Sequence, residues 1–242
     1  MCSTEHLRIK ALQKSLPGST VFVRSTLYGA PKDLSASNAY GAISHLQRAL
    51  NPRHALLDAV AAFEEYLGCL LEIVLLDNPD LLKGDATTAE REEIKLVNWI
   101  VESADKSEIL ERIVEERIRA LFYGNPVDVL TKPKSKLRIH GYFSDPQCKQ
   151  HIDKFAEIVA RRNLIAHNDG YVDRKYLREV TSTSFKLGKK IPNDSAYIKD
   201  AIGFLLCLAG KASELVLRNH YSSGVSGVLA SRLKCCKSLP AI

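Results

Sequence analysis

Along most of this chain apolar residues recur every three to four positions, the spacing of helices that bury one face. The clearest case begins at Asn51-Pro52. Leu56, Val60, Phe63, Leu67, Leu70 and Val74 form one stripe, broadened by Ala59, Ala61, Ala62, Leu71 and Leu75. That breadth predicts a central buried helix to about Asp77, ended by Asn78-Pro79-Asp80. Thr87 and Glu90 have the spacing of a capping box for a helix to about Ser103. A further helix is predicted from about Ser107 to Tyr123. There Ile109, Ile113 and Ala120 lie along one line, with Leu110, Val114 and Leu121 beside them. Gly124-Asn125-Pro126 stops it, and residues 125–144 read as an irregular, basic stretch.

Asp145-Pro146 opens the next helix, with Asp as N-cap and Pro at the first helical position. Gly170 closes it as a residue free to adopt positive φ. A short strand is predicted at Thr183–Leu187, and Asp194-Ser195 caps a last long helix to about His220. Its apolar positions include Tyr197, Ile198, Ala201, Leu205, Leu208, Ala212, Leu215 and Val216. These elements predict a mainly α protein, an antiparallel bundle of about five long helices with at most minor β structure. Before Pro52 the pattern is weaker. A short helix over residues 4–16 ends at Pro17-Gly18, Thr20–Val23 reads as a strand, and a Gly/Pro/Ser/Asn-rich connection runs to about Asn38. Residues 1–50 are thus an N-terminal extension, 51–221 the helical domain, and 222–242 a loosely ordered tail.

The helix from Asp145 to Gly170 carries the most informative polar residues. Ile152, Phe155, Ala156, Val159 and Ala166 mark its apolar face at about 100° per residue. Asn163 falls in the middle of that face, His167 to one side and Arg162 to the other. Arg161 points the opposite way and reads as solvated. Burying such groups without partners costs roughly 1–3 kcal/mol each, so the sequence either satisfies them internally or uses them.

The six residues Arg162-Asn163-Leu164-Ile165-Ala166-His167 form an R-N-x-x-x-H motif. It resembles the R-x(4–6)-H motif of the HEPN superfamily, many of whose members are RNA-cleaving enzymes, toxins or antiviral effectors. The following Asn168-Asp169-Gly170-Tyr171-Val172, with Tyr176-Leu177, is similar to a subgroup in which a glycine turn and a Tyr-Leu pair follow the motif, the RiboL-PSP type. The resemblance covers about Pro52 to Tyr221. It implies a HEPN-like bundle and metal-independent endoribonuclease activity, with a role as toxin or phage-defence effector. In that reaction the ribose 2′-OH attacks the adjacent phosphate, leaving 2′,3′-cyclic phosphate and 5′-OH ends. His167 would transfer a proton, since its unperturbed pKa of about 6.5 is close to neutrality. Arg162 would meet the phosphate with paired donors, and Asn163 would orient either group. General acid–base work contributes typically ~10²–10⁴-fold and one electrostatic stabiliser on the order of 10²–10³. The family adds to this by dimerising, so a homodimer with a composite active site is expected, with the Asn163 face at its interface. RNA, tRNA or mRNA, is the implied substrate, and an antitoxin or defence-system protein a further partner. Some HEPN toxins carry a tyrosine two residues after the motif histidine. Here that position is Asp169, and Tyr171 lies two residues later still.

Two readings stay open at several positions. Glu64 lies beside the stripe of the central helix and is either an auxiliary site residue or an ordinary surface or salt-bridge residue. Lys132, Lys134, Lys136 and Arg138 either hold RNA backbone or line a solvated loop. The motif itself either does chemistry or fixes helix packing, as in a non-catalytic HEPN scaffold that binds RNA, a nucleotide or a protein partner.

Composition narrows the field less. The formal net charge of +6 permits nucleic-acid binding without demanding it. The six cysteines show no zinc spacing: Cys69 and Cys207 read as small core residues, and Cys235-Cys236 as exposed free thiols. That usage suits a reducing compartment. There is no apolar leader at the start, and the longest apolar run, Ala201 to Gly210, is too short to span a bilayer, so a cytoplasmic location and no membrane partner are expected. No Gly-rich phosphate loop, nucleophile elbow or metal-ligand spacing appears, and no cofactor or metal is expected.

Overall fold

A computed structural model describes residues 7, 8, 10, 11, 14, 20–23, 32–82, 99, 105–180 and 183–236. The predicted capping-box helix from Thr87 lies almost wholly outside these residues. So does most of the predicted helix over residues 4–16. The protein is mainly α-helical, a helical bundle with very little strand among the described residues. It divides into two compact units: Met1–Leu57 with Pro192–Asp200, and Asp58–Ile191 with Ala201–Ile242.

In the first unit β1 (Thr20–Val23) pairs antiparallel with β2 (Lys32–Ser35), Thr20 opposite Ser35. The β1 strand matches the sequence expectation; the connection that follows it does not, since it holds β2 and then α1 (Ala36–His45). Ser35 starts α1, its hydroxyl accepting from the Asn38 backbone N–H at 3.2 Å. A π-helical turn, Leu46–Leu50, then leads into α2 (Asn51–Asp77) without a break. Asn51 is therefore not an N-cap, because its backbone is already helical. A proline inside a helix clashes with the carbonyl four residues back and lacks an N–H. The wide turn just before Pro52 is the kind of adjustment that lets the chain stay helical through such a residue.

In the second unit α2 continues as the central element, flanked by α3 (Lys106–Phe122), α4 (Pro126–Thr131), α5 (His140–Phe143), α6 (Lys149–Asn168), α7 (Arg174–Glu179), α8 (to Tyr221, from Ser195) and α9 (Gly227–Cys235). Val60, Phe63, Leu67, Leu71, Val74 and Leu75 of α2 are buried, whereas Ala61 and Ala62 are exposed. Phe63 meets Phe155 of α6 edge to face, ring centroids 5.2 Å apart. Tyr66 donates to the Ala209 carbonyl of α8 at 3.1 Å. A Cβ at Gly68 would lie 3.6 Å from Ile118, so α3 runs close to α2 there.

Residues 125–144 are more ordered than expected. Asn125 both follows α3 and caps α4, accepting from the Val127 N–H at 3.1 Å, with Pro126 at the first helical position. The stretch is nailed down by Val129, Leu130, Leu137, Ile139 and Phe143, all buried. The predicted strand at Thr183–Leu187 is absent. Pairing occurs slightly later, as one antiparallel bridge between Tyr171 and Lys190 beside the Gly188 turn. The last long helix, by contrast, buries every predicted apolar position except the half-buried Tyr197.

Within the tail, Gly227–Cys235 form α9 instead of a loose segment, and Cys236 just after it is disulfide-bonded to Cys207 of α8. Cys207 is thus no simple core residue and Cys236 no free thiol, while Cys69 is exposed rather than buried and Cys148 is free and buried.

Candidate functional site

Asp145 caps a short 3-10 turn, Pro146–Cys148, that feeds directly into α6; its carboxylate accepts from the Gln147 N–H at 2.8 Å. At the other end Asp169 turns left-handed (φ 48°) and Gly170 follows at φ 81°. The Gly170 N–H reaches back to the Leu164 carbonyl at 2.9 Å, closing the helix as a C-terminal cap.

The turn beyond His167 is fixed by polar contacts. Asn168 donates to the Tyr171 carbonyl at 2.6 Å, and Lys190 pairs with Asp169 at 2.8 Å. Tyr176 and Val180 of the following segment fold back onto Ala160 and Leu164 with Val172 and Ile191, and Leu177 packs against that cluster. The glycine turn and the Tyr-Leu pair thus position the end of α6.

The core face of α6 is broader than its predicted stripe. Phe155, Ile158, Val159, Ala160, Arg161, Leu164 and Ile165 are buried, while Ile152 and Ala156 are only half-buried and Ala166 is exposed. A helix enclosed on most sides has no single apolar stripe, so reading one stripe misplaced the core. Arg161 shows the consequence most sharply. It is not solvated but 6% exposed. It pairs with Glu157 at 2.7 Å and lies over the Phe185 ring, 5.5 Å from its centroid. Tyr176 donates to the same Glu157 at 3.1 Å. Burial, then the Glu157 charge, pushes the Tyr176 phenol up, so it stays a neutral donor. The i,i+4 spacing of Glu157 and Arg161 was the sequence signal for this pair.

Arg162 pairs with Glu64 of α2, each side chain 23% exposed. Its Nε is buried with no hydrogen-bond partner. Asn163 is half-buried and His167 exposed, and neither side chain makes a hydrogen bond among the described residues. At about 100° per residue, Ile152, Ala156, Asn163 and His167 lie within about 60° of one another. They form one partly open strip along α6, with Arg162 at its flank.

The basic stretch lies elsewhere. Asn219 donates to the Arg138 carbonyl at 2.6 Å, and the His220 ring meets the Leu137 carbonyl at 3.1 Å. Lys136 lines a cavity of about 190 Å³ with Leu71, Leu75 and Arg117. Leu71 and Leu75 are roughly 10–16 Å along α2 from Glu64. Lys132 and Arg138 are exposed, and the structure does not bring Lys132, Lys136 or Arg138 to the motif. The position of the Lys134 side chain is outside the described residues.

A second polar cluster, missed in the sequence, joins the start of α6 to α8. Lys211, buried, pairs with Glu214 at 2.9 Å and lies 5.0 Å from the Tyr142 ring centroid. Burial pushes both the Tyr142 phenol and the Cys148 thiol up, so neither is poised as a nucleophile. Among the described residues no group of three or more His, Cys, Asp or Glu side chains could hold a metal ion, and no helix is long and apolar enough to cross a membrane. No protein-family model, no curated protein and no solved structure matches the chain.

Proposed function

We propose that this protein is a metal-independent endoribonuclease of HEPN type, acting as a homodimer. One observation carries the reading: Asn163 and His167 share a partly open strip of α6 and make no hydrogen bond among the described residues, beside an arginine paired with Glu64. A motif that only fixed helix packing would have its polar groups bonded within the core. A guanidinium has five N–H donors. With one of them on Glu64, Arg162 keeps donors for a phosphate.

In this reading Arg162 holds the scissile phosphate, His167 transfers the proton, and Asn163 orients one or the other. Strips from two copies face each other, so that each site draws on both motifs. The products are a 2′,3′-cyclic phosphate and a 5′-OH, and the activity is of the kind used by toxins and phage-defence effectors.

The Arg162–Glu64 pair also favours a second reading, a non-catalytic scaffold that binds RNA, a nucleotide or a protein partner. The same experiment separates the two. Wild type and His167→Ala are incubated with total RNA and with tRNA in EDTA, and fragment ends are mapped. Cleavage by wild type alone, with cyclic-phosphate ends, supports the nuclease. No cleavage by a folded wild-type protein favours the scaffold, and equal cleavage by both forms removes His167 from the chemistry.

A further inference from the structure

A cavity of about 990 Å³ opens between α2, α8 and α9, and no residue of the Arg162–His167 motif is among those lining it. Its size is at the upper end of the roughly 300–1,000 Å³ typical of small-molecule sites. The void is built by side-chain choice. Ala59 and Ala62 on α2 face Gly203 and Gly210 on α8, so two long helices run side by side without filling the space between them. A Cβ at Gly203 would meet nothing within 4 Å. Along α8 the lining runs from Ile202 to Ser213, about 16 Å at 1.5 Å per residue.

The chemistry of the walls selects the occupant. Among the described residues no charged side chain lines the cavity. Its two hydroxyls, Tyr66 and Ser213, are hydrogen-bonded to each other, and Tyr66 also donates to Ala209. Nothing in the lining therefore asks for a charged or strongly polar ligand. An apolar lining of this kind offers water few hydrogen-bonding partners, so covering it with an apolar ligand is favourable. Leu206, 62% exposed, marks the open side.

One side is covered by α9. Leu233 seats directly over Gly210, where a Cβ would come within 3.1 Å of it, and Leu229 lies one turn away at 3.7 Å. The Cys207–Cys236 disulfide, Cα atoms 5.5 Å apart, clips the end of α9 to α8. Ser222, at φ 49°, is left-handed in the connection to α9, and Gly227, the first residue of α9, is left-handed at φ 57°.

We propose that this cavity binds a single elongated, uncharged apolar chain of the long-chain alkyl or acyl class, with α9 as its lid and the disulfide as the lid's clasp. A dithiol reductant opens the clasp. It gives up two electrons and two protons, the Cys207–Cys236 bond breaks to two thiols, and the reductant closes to a disulfide. The inference is independent of the nuclease reading.

The test uses the full oxidised chain, the uncharged fluorophore N-phenyl-1-naphthylamine and 1-dodecanol as competitor. Saturable one-to-one binding is expected, displaced by the alcohol. Gly203→Leu and Ala62→Phe fill the space and should each weaken binding at least tenfold; any of these variants with wild-type helicity and melting decides the point. Reduction, or Cys236→Ser, should raise the probe's dissociation rate at least fivefold. Absence of saturable binding, or unchanged affinity in a folded filling variant, overturns the site. An unchanged dissociation rate overturns the lid. Loss of binding as protein concentration rises, with a matching shift in sedimentation, would assign the groove to a second copy and likewise overturn the proposal.

Discussion

The Arg162 guanidinium donates to the Glu64 carboxylate, joining α6 to α2 across 98 residues of sequence. Each partner has part of its surface in water, but Arg162 Nε is buried and unpaired. In the proposed reading Glu64 is a positioning residue, holding the guanidinium for a phosphate bound beside Asn163. Glu64→Gln keeps the shape and removes the charge. It should cost about 1–3 kcal/mol in urea denaturation. Cleavage should fall with it, less than in His167→Ala, through a higher KM with kcat nearly kept. A loss of kcat equal to that of His167→Ala would instead put Glu64 in the chemistry. A double-mutant cycle with Arg162→Gln should give a coupling of about 0.5–3 kcal/mol.

Arg161 and Arg162 are adjacent and should behave oppositely. Arg161 lies in the core with Glu157 and against Phe185. Removing one partner of a buried pair typically costs about 3–5 kcal/mol, because the other charge is left uncompensated. Arg161→Ala should therefore lower stability more than Arg162→Ala. Any folded fraction of Arg161→Ala should still cleave RNA, whereas Arg162→Ala should stay folded, with a smaller loss of stability, and be inactive. Melting curves and single-turnover cleavage on the same preparations check both halves. Reversal of either order would mean that the two arginines have exchanged the roles assigned to them.

These two residues also show what was legible in the sequence. Among the described residues, helix existence was readable where caps and apolar spacing agreed, as at Asp194 and Ser195 with Ile198, Ala201, Leu205 and Leu208 behind them. The strip holding Asn163 and His167 followed from the 3.6-residue period. The orientation of Arg161 did not, because a helix buried on most sides has room for a paired arginine that no apolar stripe announces. Helix α1 was hidden by Gly41, Ser44 and two asparagine or serine neighbours, all modest helix formers. The Cys207–Cys236 bond was hidden because six cysteines allow many pairings and spacing alone selects none. Pro52 read as a helix start, since the π-helical turn that accommodates it leaves no composition signal.

The open strip on α6 should be the contact between two copies. Ile152 and Ala156 supply partly exposed apolar surface there, and Asn163 lies between them on the wheel, with His167 one turn further along the axis. Ala156→Glu places a charge at that contact, where burying it unpaired costs several kcal/mol. Sedimentation at micromolar concentration should show a dimer for wild type and a monomer for Ala156→Glu, with equal helicity by circular dichroism. The monomer should lose RNA cleavage. A fully active monomer would remove the composite site, and a variant that stays dimeric would move the interface off this strip.

His220 gives the fold an acid-side dependence that can be isolated. Its ring sits under the basic stretch, hydrogen-bonded to the Leu137 carbonyl at 3.1 Å. Burial is the largest influence and pulls its pKa down from the ordinary value of 6.5; the Leu137 carbonyl opposes this, and the Arg138 charge adds to the depression. The folded state therefore resists the proton that the unfolded chain accepts. Stability is fully present above about pH 6.5 and declines as pH falls through that value toward the lower folded pKa, where the unfolded state binds more protons. Below the folded pKa this contribution changes no further. His220→Gln can still donate to the Leu137 carbonyl but does not titrate. Its urea midpoint should lack the decline between pH 6.5 and 5 that wild type shows, beyond what carboxylates cause in both. Parallel pH profiles for the two proteins would mean that His220 is not the group responsible.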